Sequence, residues 1–192
     1  MNSVRFMGPL AAASDTGSRQ SVVTEKPRVV FEQARQANPL SGALLVDYAQ
    51  FLVWDGQYPQ AIEMAEVSTR LGTATRDKAV AASIQATALL ATDQPAAARM
   101  AVHKALLIRR LDILVTPSAI AILFVLGDRE DATALFKEFK ELIPTYSPSN
   151  VISRVAFRSI DAVIARGAKS AGLPEDVSGI FRVLAAATSK ST

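Results

Sequence analysis

Positions of matching character recur along this chain at intervals of about 35 residues. One series is Ala34, Ser68, Ala105 and Phe139, which lie on the second of the two predicted helices in each unit. Its middle interval is three residues longer than the other two. An independent series on the first helices has the same longer interval followed by the shorter one: Leu52, Leu89 and Leu123. A period in this range is typical of helical repeat proteins, because one hairpin cannot bury its apolar face alone and must share a core with its neighbours.

One complete unit can be read at residues 44–71. Apolar residues follow helical spacing as far as Leu52, Asp55 and Gly56 interrupt the pattern, and the spacing resumes at Tyr58. These features predict two antiparallel helices joined by a tight turn. The low aromatic content of 6% and the abundance of alanine also favour closely packed helices over a sheet.

The period divides the chain into predicted regions. We expect a flexible lead-in at residues 1–26, a half repeat at 27–41 whose helix begins at Pro27, and full repeats at 42–74, 75–112 and 113–146. The repeat pattern as a whole covers residues 27–144. Residues 147–192 are expected to form C-terminal capping helices and a loose tail, since the last repeat of an array must face water on one side.

The full units resemble the tetratricopeptide repeat (TPR) family, whose pattern combines a small residue, a turn glycine, an aromatic residue and alanines at set positions. The matching residues are Ala49, Leu52, Gly56, Tyr58, Ala61 and Leu71 in one unit, Ala86, Leu89, Ala98 and Ala105 in the next, and Leu123, Gly127, Ala132, Phe136 and Pro144 in the last. The chain departs from the pattern where Asp93 and Pro95 replace the turn glycine and the aromatic residue, and where Ile120 fills a small-residue position.

This resemblance implies both a fold and a kind of function. The fold is an all-α, right-handed superhelical solenoid of antiparallel helix pairs. The function is that of a non-catalytic scaffold for protein–protein interaction, with a partner peptide or helix bound on the concave face.

The C-terminal region is also similar to the TPR tails that follow class III adenylate cyclase domains. The residues that carry this similarity are Ile143, Pro144, Arg154, Phe157 and the segment 171–175. The similarity implies an alternative function, in which the chain is a regulatory or sensory tail, or a fragment, of a cyclase-like bacterial signalling protein. The catalytic domain of such a protein has no counterpart here, because no upstream strands carry its paired metal-binding aspartates.

Few residues of the chain suit catalysis or metal binding. Cysteine is absent, His103 is the sole histidine, and no glycine-rich phosphate loop with a lysine is present. We therefore predict no catalytic residue, no metal site and no cofactor. A helical-repeat enzyme with unrecognised active groups stays as a third alternative. The lack of a disulfide framework is compatible with the cytoplasm, where we expect the protein to act.

Charge and hydropathy narrow the class of partner. The formal net charge of +3 is small for 192 residues, and no run of Lys or Arg suggests binding to nucleic acid. The apolar residues 119–126 form too short a stretch for a membrane span, which needs roughly 20 residues. We therefore expect another protein as the partner, and the oligomeric state stays open.

The repeat register predicts which residues line the concave face formed by the first helices. The proposed partner-binding residues are Val46, Gln50, Trp54, Ser83 and Thr87, and further inward positions are Val53, Leu90, Ala121 and Phe124. This groove is apolar, so it would suit an amphipathic helix of a partner or a neighbouring segment of the chain itself. Trp54 is either the anchor for a partner or a packing residue between adjacent hairpins.

Overall fold

The computed structural model describes residues 18–71, 74–142, 160, 161, 163–165 and 173–189, and this part of the chain is helical without any strand. Its helices are α1 (Ser18–Ala37), α2 (Gly42–Trp54), α3 (Tyr58–Arg70), α4 (Thr75–Ala91), α5 (Pro95–Ile108), α6 (Thr116–Val125), α7 (Arg129–Leu142) and α8 (Val177–Ser189). Residues 160, 161 and 163–165 are also helical. The antiparallel pairs α2–α3, α4–α5 and α6–α7 stack as a TPR-like solenoid, which confirms the predicted fold class.

The three turns within the helix pairs share one backbone geometry. The turn residues Gly56, Asp93 and Gly127 have φ angles of +75°, +57° and +85°. After each of them, the next N–H donates to the carbonyl five residues earlier, with distances of 2.8, 3.0 and 2.9 Å for Gln57, Gln94 and Asp128. This is the pattern of a Schellman helix end, which needs a left-handed residue. Asp93 can replace glycine here because a short polar side chain tolerates that conformation better than most.

Small residues let the paired helices approach closely. Ala61, Ala98 and Ala132 occupy the same position of α3, α5 and α7, and all three are 0% exposed. Each of them follows the left-handed residue of its turn by five positions, so the alanines and the turns share one period. Side chains without bulk at these crossings allow the neighbouring apolar residues to interdigitate at the density of a protein interior.

The first helix begins earlier than the start predicted at Pro27. Helix α1 begins at Ser18, so residues 18–26 are helical and Pro27 lies inside the helix. Arg, Gln, Glu and Lys residues before Pro27 favour helix formation and offset the one backbone hydrogen bond that a proline removes.

Further along α1, Phe31 stacks on Tyr48 and Phe51 of α2, with ring centroids 5.1 and 5.4 Å apart.

The one longer interval in the repeat has a structural cause in α4. This helix has 17 residues, whereas α2 has 13, and the additional turn lies at its start, ahead of the position equivalent to Gly42. The longer start carries Arg76, whose Nε lies 3.1 Å from Oδ2 of Asp112 in the loop between α5 and α6. The extra turn of α4 therefore contacts the loop that leads into the next unit.

Candidate partner-binding surface

The residues predicted for the concave face differ sharply in exposure. Val46, Ser83 and Thr87 are buried, at 7, 5 and 4% exposure, and Gln50 is half-buried. Trp54 at the end of α2 is 50% exposed. Val46 and Ser83 are equivalent positions in successive repeats, and so are Gln50 and Thr87. The concave face is therefore reached by solvent at α2 and is closed at α4.

The same face is closed at α6. Every residue at positions 116–124 is buried, so this helix is covered on all sides. Helices α5 and α7 flank it, α4 lies against it in the stack, and α8 packs on both α6 and α7. The rings of Phe136 in α7 and Phe181 in α8 meet edge to face, with centroids 5.2 Å apart. The C-terminal helix thus occupies space that an open solenoid would leave to solvent.

A second C-terminal element closes the face near α4. We call residues 160, 161 and 163–165 the cover segment. Its apolar residues Ile160, Val163 and Ile164 stand at helical spacing and are 0, 4 and 0% exposed. Val163 belongs to the apolar cluster of α2, α3 and α4, whereas Ile160 and Ile164 belong to the cluster that runs from α4 to α8. The cover segment therefore joins the cores of successive repeats.

A hydrogen bond attaches the cover segment to α8. The carboxylate of Asp161 accepts the N–H of Val177, the first residue of α8, at 2.9 Å. Burial raises the pKa of Asp161, the hydrogen bond from Val177 opposes this shift, and the charge of Asp176 adds to it. Asp176 in turn accepts the N–H of Gly179. Both carboxylates hold N–H groups in the first turn of α8, which has no helical acceptors for them.

The solvent-reached part of the concave face is a strip along α2. Asp47, Gln50 and Trp54 follow one another at helical spacing, and all three contact solvent to some degree. Neighbouring protein displaces part of the hydration of Asp47 and raises its pKa, and Asp77 at the start of α4 raises it further. The strip offers an amide, a carboxylate and an indole that presents both an apolar surface and an N–H donor.

Other kinds of site have no counterpart on this face. None of the inward positions predicted from the register is Lys or Arg, so the strip lacks the cations needed to hold a terminal carboxylate. Within the described ranges, no three His, Cys, Asp or Glu side chains stand together in a way that could hold a metal ion. Over the same ranges, no helix has both the length and the apolar character of a membrane span.

The sequence did not predict that the cover segment joins the cores of successive repeats. Residues 160–168 carry apolar side chains at helical intervals, which predicted a helix but not its position. Of the residues behind the cyclase-tail similarity, Ile143, Pro144, Arg154, Phe157 and positions 171 and 172 lie outside the described residues. That similarity stays a prediction.

Comparison with known proteins supports the fold. The chain is similar to MamA, a TPR-like solenoid known from a crystal structure, with a TM-score of 0.54 and 17% sequence identity over 90% of this chain and 93% of that chain. At this level of identity the likeness concerns the fold alone. No protein-family model matches the sequence, and no curated protein matches it.

Proposed function

We propose that this chain is a non-catalytic protein-interaction scaffold that binds a helix or peptide of a partner at the open strip of α2. The TPR-like fold favours a role in protein binding, and such folds are typically non-catalytic. The single observation that carries the location is the exposure of Trp54. At 50% it is the most exposed of the five predicted partner-binding residues, and its equivalents Ala91 and Val125 are half-buried.

The chemistry of the strip suits an amphipathic partner. A half-exposed indole provides a large rigid contact area at a small cost in side-chain entropy, and such residues are enriched among binding hot spots. Gln50 can both donate and accept hydrogen bonds beside it. Val46, Ser83 and Thr87, which the sequence placed in the same groove, are buried and offer little surface to a partner. The hydroxyl of Thr87 donates to the carbonyl of Ser83 at 3.1 Å, within α4.

The replacement Trp54→Ala tests this location. We expect the full chain to lose about 1 to 2 kcal/mol of unfolding free energy, less than the roughly 3 to 5 kcal/mol of a fully buried aromatic residue, because half of the ring is in water. In a pull-down from a cell lysate read by mass spectrometry, we expect some proteins that bind the parent chain to be absent with the variant. Trp54 is the sole tryptophan, so its fluorescence also reports directly on occupancy of the strip.

A matched control distinguishes binding at the strip from nonspecific binding to exposed apolar side chains. Leu40→Ala removes another large exposed side chain, at 76% exposure, from the loop between α1 and α2. A partner that is retained by the parent and by the Leu40 variant, but not by the Trp54 variant, would support the proposed location. Equal retention by all three chains would contradict it.

A further inference from the structure

The outer side of the α4–α5 pair carries an unusual group of exposed apolar side chains. Met100, Leu107, Leu111 and Leu114, here called the α5 ridge, are 73, 87, 40 and 39% exposed. Met100 and Leu107 lie seven residues apart on one stripe of α5, and Leu111 and Leu114 follow in the loop to α6. Single exposed apolar residues are common on proteins, but here four lie within fifteen residues of the chain.

The neighbouring repeats indicate that the fold does not require apolar side chains at Met100 and Leu107. The positions equivalent to Met100 are Glu63 in α3 and Ala134 in α7, and those equivalent to Leu107 are Arg70 and Glu141. All four of these equivalents are at least partly exposed. Polar or small residues therefore satisfy the same positions in the neighbouring pairs, and the apolar residues of α5 serve something other than packing within the array.

The loop that carries half of the ridge is held firmly. Oδ1 of the buried Asp112 accepts the N–H of Leu114 at 2.9 Å. The hydroxyl of Thr116 accepts the N–H of Asp112 at 3.0 Å and donates to the carbonyl of Arg110 at 2.8 Å. This network holds the loop in one conformation, and that conformation keeps Leu111 and Leu114 exposed.

Positive charge surrounds the ridge. Lys104 lies on the same stripe of α5 and has no ion-pair partner among the described residues. Arg76 and Arg109 share the single carboxylate of Asp112, at 3.1 and 3.3 Å, which leaves one charge in excess. Arg110 is matched by Glu138 at 2.8 Å. The region is thus apolar at its tips and cationic at its sides.

We propose that the α5 ridge docks the protein on an anionic lipid surface. Apolar side chains flanked by Lys and Arg are the combination by which helices bind at a membrane interface, where the apolar groups enter the headgroup boundary and the cations attract acidic lipids. Leu107 projects almost fully into solvent instead of lining a groove, which suits insertion into a soft interface. The net charge of +3 acts in the same direction at long range.

The experiment measures sedimentation of the full chain with vesicles. We expect binding to phosphatidylcholine vesicles that contain phosphatidylserine, weaker binding as salt is raised, and little binding to phosphatidylcholine alone. The double variant Met100→Glu/Leu107→Arg leaves the net charge unchanged and introduces the residues found at the equivalent positions of α3. It should bind at least about tenfold more weakly, because two apolar side chains no longer insert. Lys104→Gln should weaken binding about fivefold.

A second double variant controls for exposed apolar surface elsewhere. Val29→Glu/Val30→Arg also preserves net charge and changes two side chains of α1 that are 53 and 51% exposed. It should bind the acidic vesicles as the parent does. The proposal is overturned if the parent does not sediment with acidic vesicles, if it binds neutral vesicles equally, or if both double variants lose binding alike. The proposal is also overturned if the parent chain binds a soluble acidic helical peptide but does not bind vesicles. That result would assign the ridge to a protein partner.

Discussion

Ala61→Trp is expected to remove more than about 3 kcal/mol of unfolding free energy, because an indole would have to enter a helix crossing that has no room for it. Ala61 is 0% exposed and lies in the cluster that joins α2, α3 and α4. The neighbouring helices would have to separate, and the loss would spread along the stack because each pair depends on the next. Urea unfolding followed by circular dichroism measures the change.

The equivalent alanines of the other repeats extend this test. Ala98→Trp and Ala132→Trp should cost about as much as the change at Ala61, since all three alanines are 0% exposed at equivalent positions. Glu63→Trp places the same indole on the exposed side of α3 and should change stability by less than about 1 kcal/mol. Wild-type stability in the Ala61 variant would show that this register is wrong.

Asp112→Ala carries the second large expected effect, a loss of about 2 to 4 kcal/mol in unfolding free energy. The buried carboxylate of Asp112 brings together the start of α4 through Arg76, the end of α5 through Arg109 and the backbone of the loop through Leu114. Its removal leaves the N–H of Leu114 without its acceptor and breaks the link between the start of α4 and the end of α5. The two arginines are about half exposed and can be hydrated, which limits the loss.

Two further variants isolate the contribution of the charge. Asp112→Asn keeps an acceptor for the N–H of Leu114 and should lose roughly half as much stability as the alanine variant. Glu138→Ala breaks the exposed ion pair with Arg110 and should cost less than about 1 kcal/mol, with the effect reduced by salt. A similar small loss for Asp112→Ala and Glu138→Ala in urea unfolding would contradict the role given to the buried carboxylate.

The sequence predicted those features that depend on local spacing. The turns at Gly56, Asp93 and Gly127 and the small residues at the helix crossings could be found because they recur with one shared period that is visible along the chain. The fold class followed from the same period. The start of α1 was missed because Pro27 is a common first residue of a helix, whereas here it lies within one.

The sequence could not predict which faces the finished array leaves open. Ser83 and Thr87 were placed on the concave face, and the register alone could not show that they are buried, because contacts from distant parts of the chain decide this. Val163 packs in a cluster with residues such as Val46, more than a hundred positions away. Trp54 stays half-exposed for the same reason, since it belongs to neither of the apolar clusters that include the cover segment.

The filled concave face restricts what can bind to it. A solenoid whose concave face is filled at α4 and α6 by its own chain presents a short strip to a partner instead of a long groove. Such a strip fits a few turns of a helix anchored at one aromatic residue. Binding on the filled part of the face would require the C-terminal elements to leave, at the cost of exposing side chains such as Ile160 and Ile164.

Cysteine labelling tests most directly whether the concave face is open at α2 and closed at α4. The chain has no cysteine, so Gln50→Cys and Thr87→Cys each place one thiol at equivalent positions of adjacent repeats. We expect the thiol at 87 to react at least about 100-fold more slowly than that at 50, because it needs local opening. Adding Ile164→Asp should accelerate the reaction at 87, whereas Val183→Asp on an exposed part of α8 should not. Equal labelling rates at 50 and 87 in the parent chain would show that the face is not closed at α4.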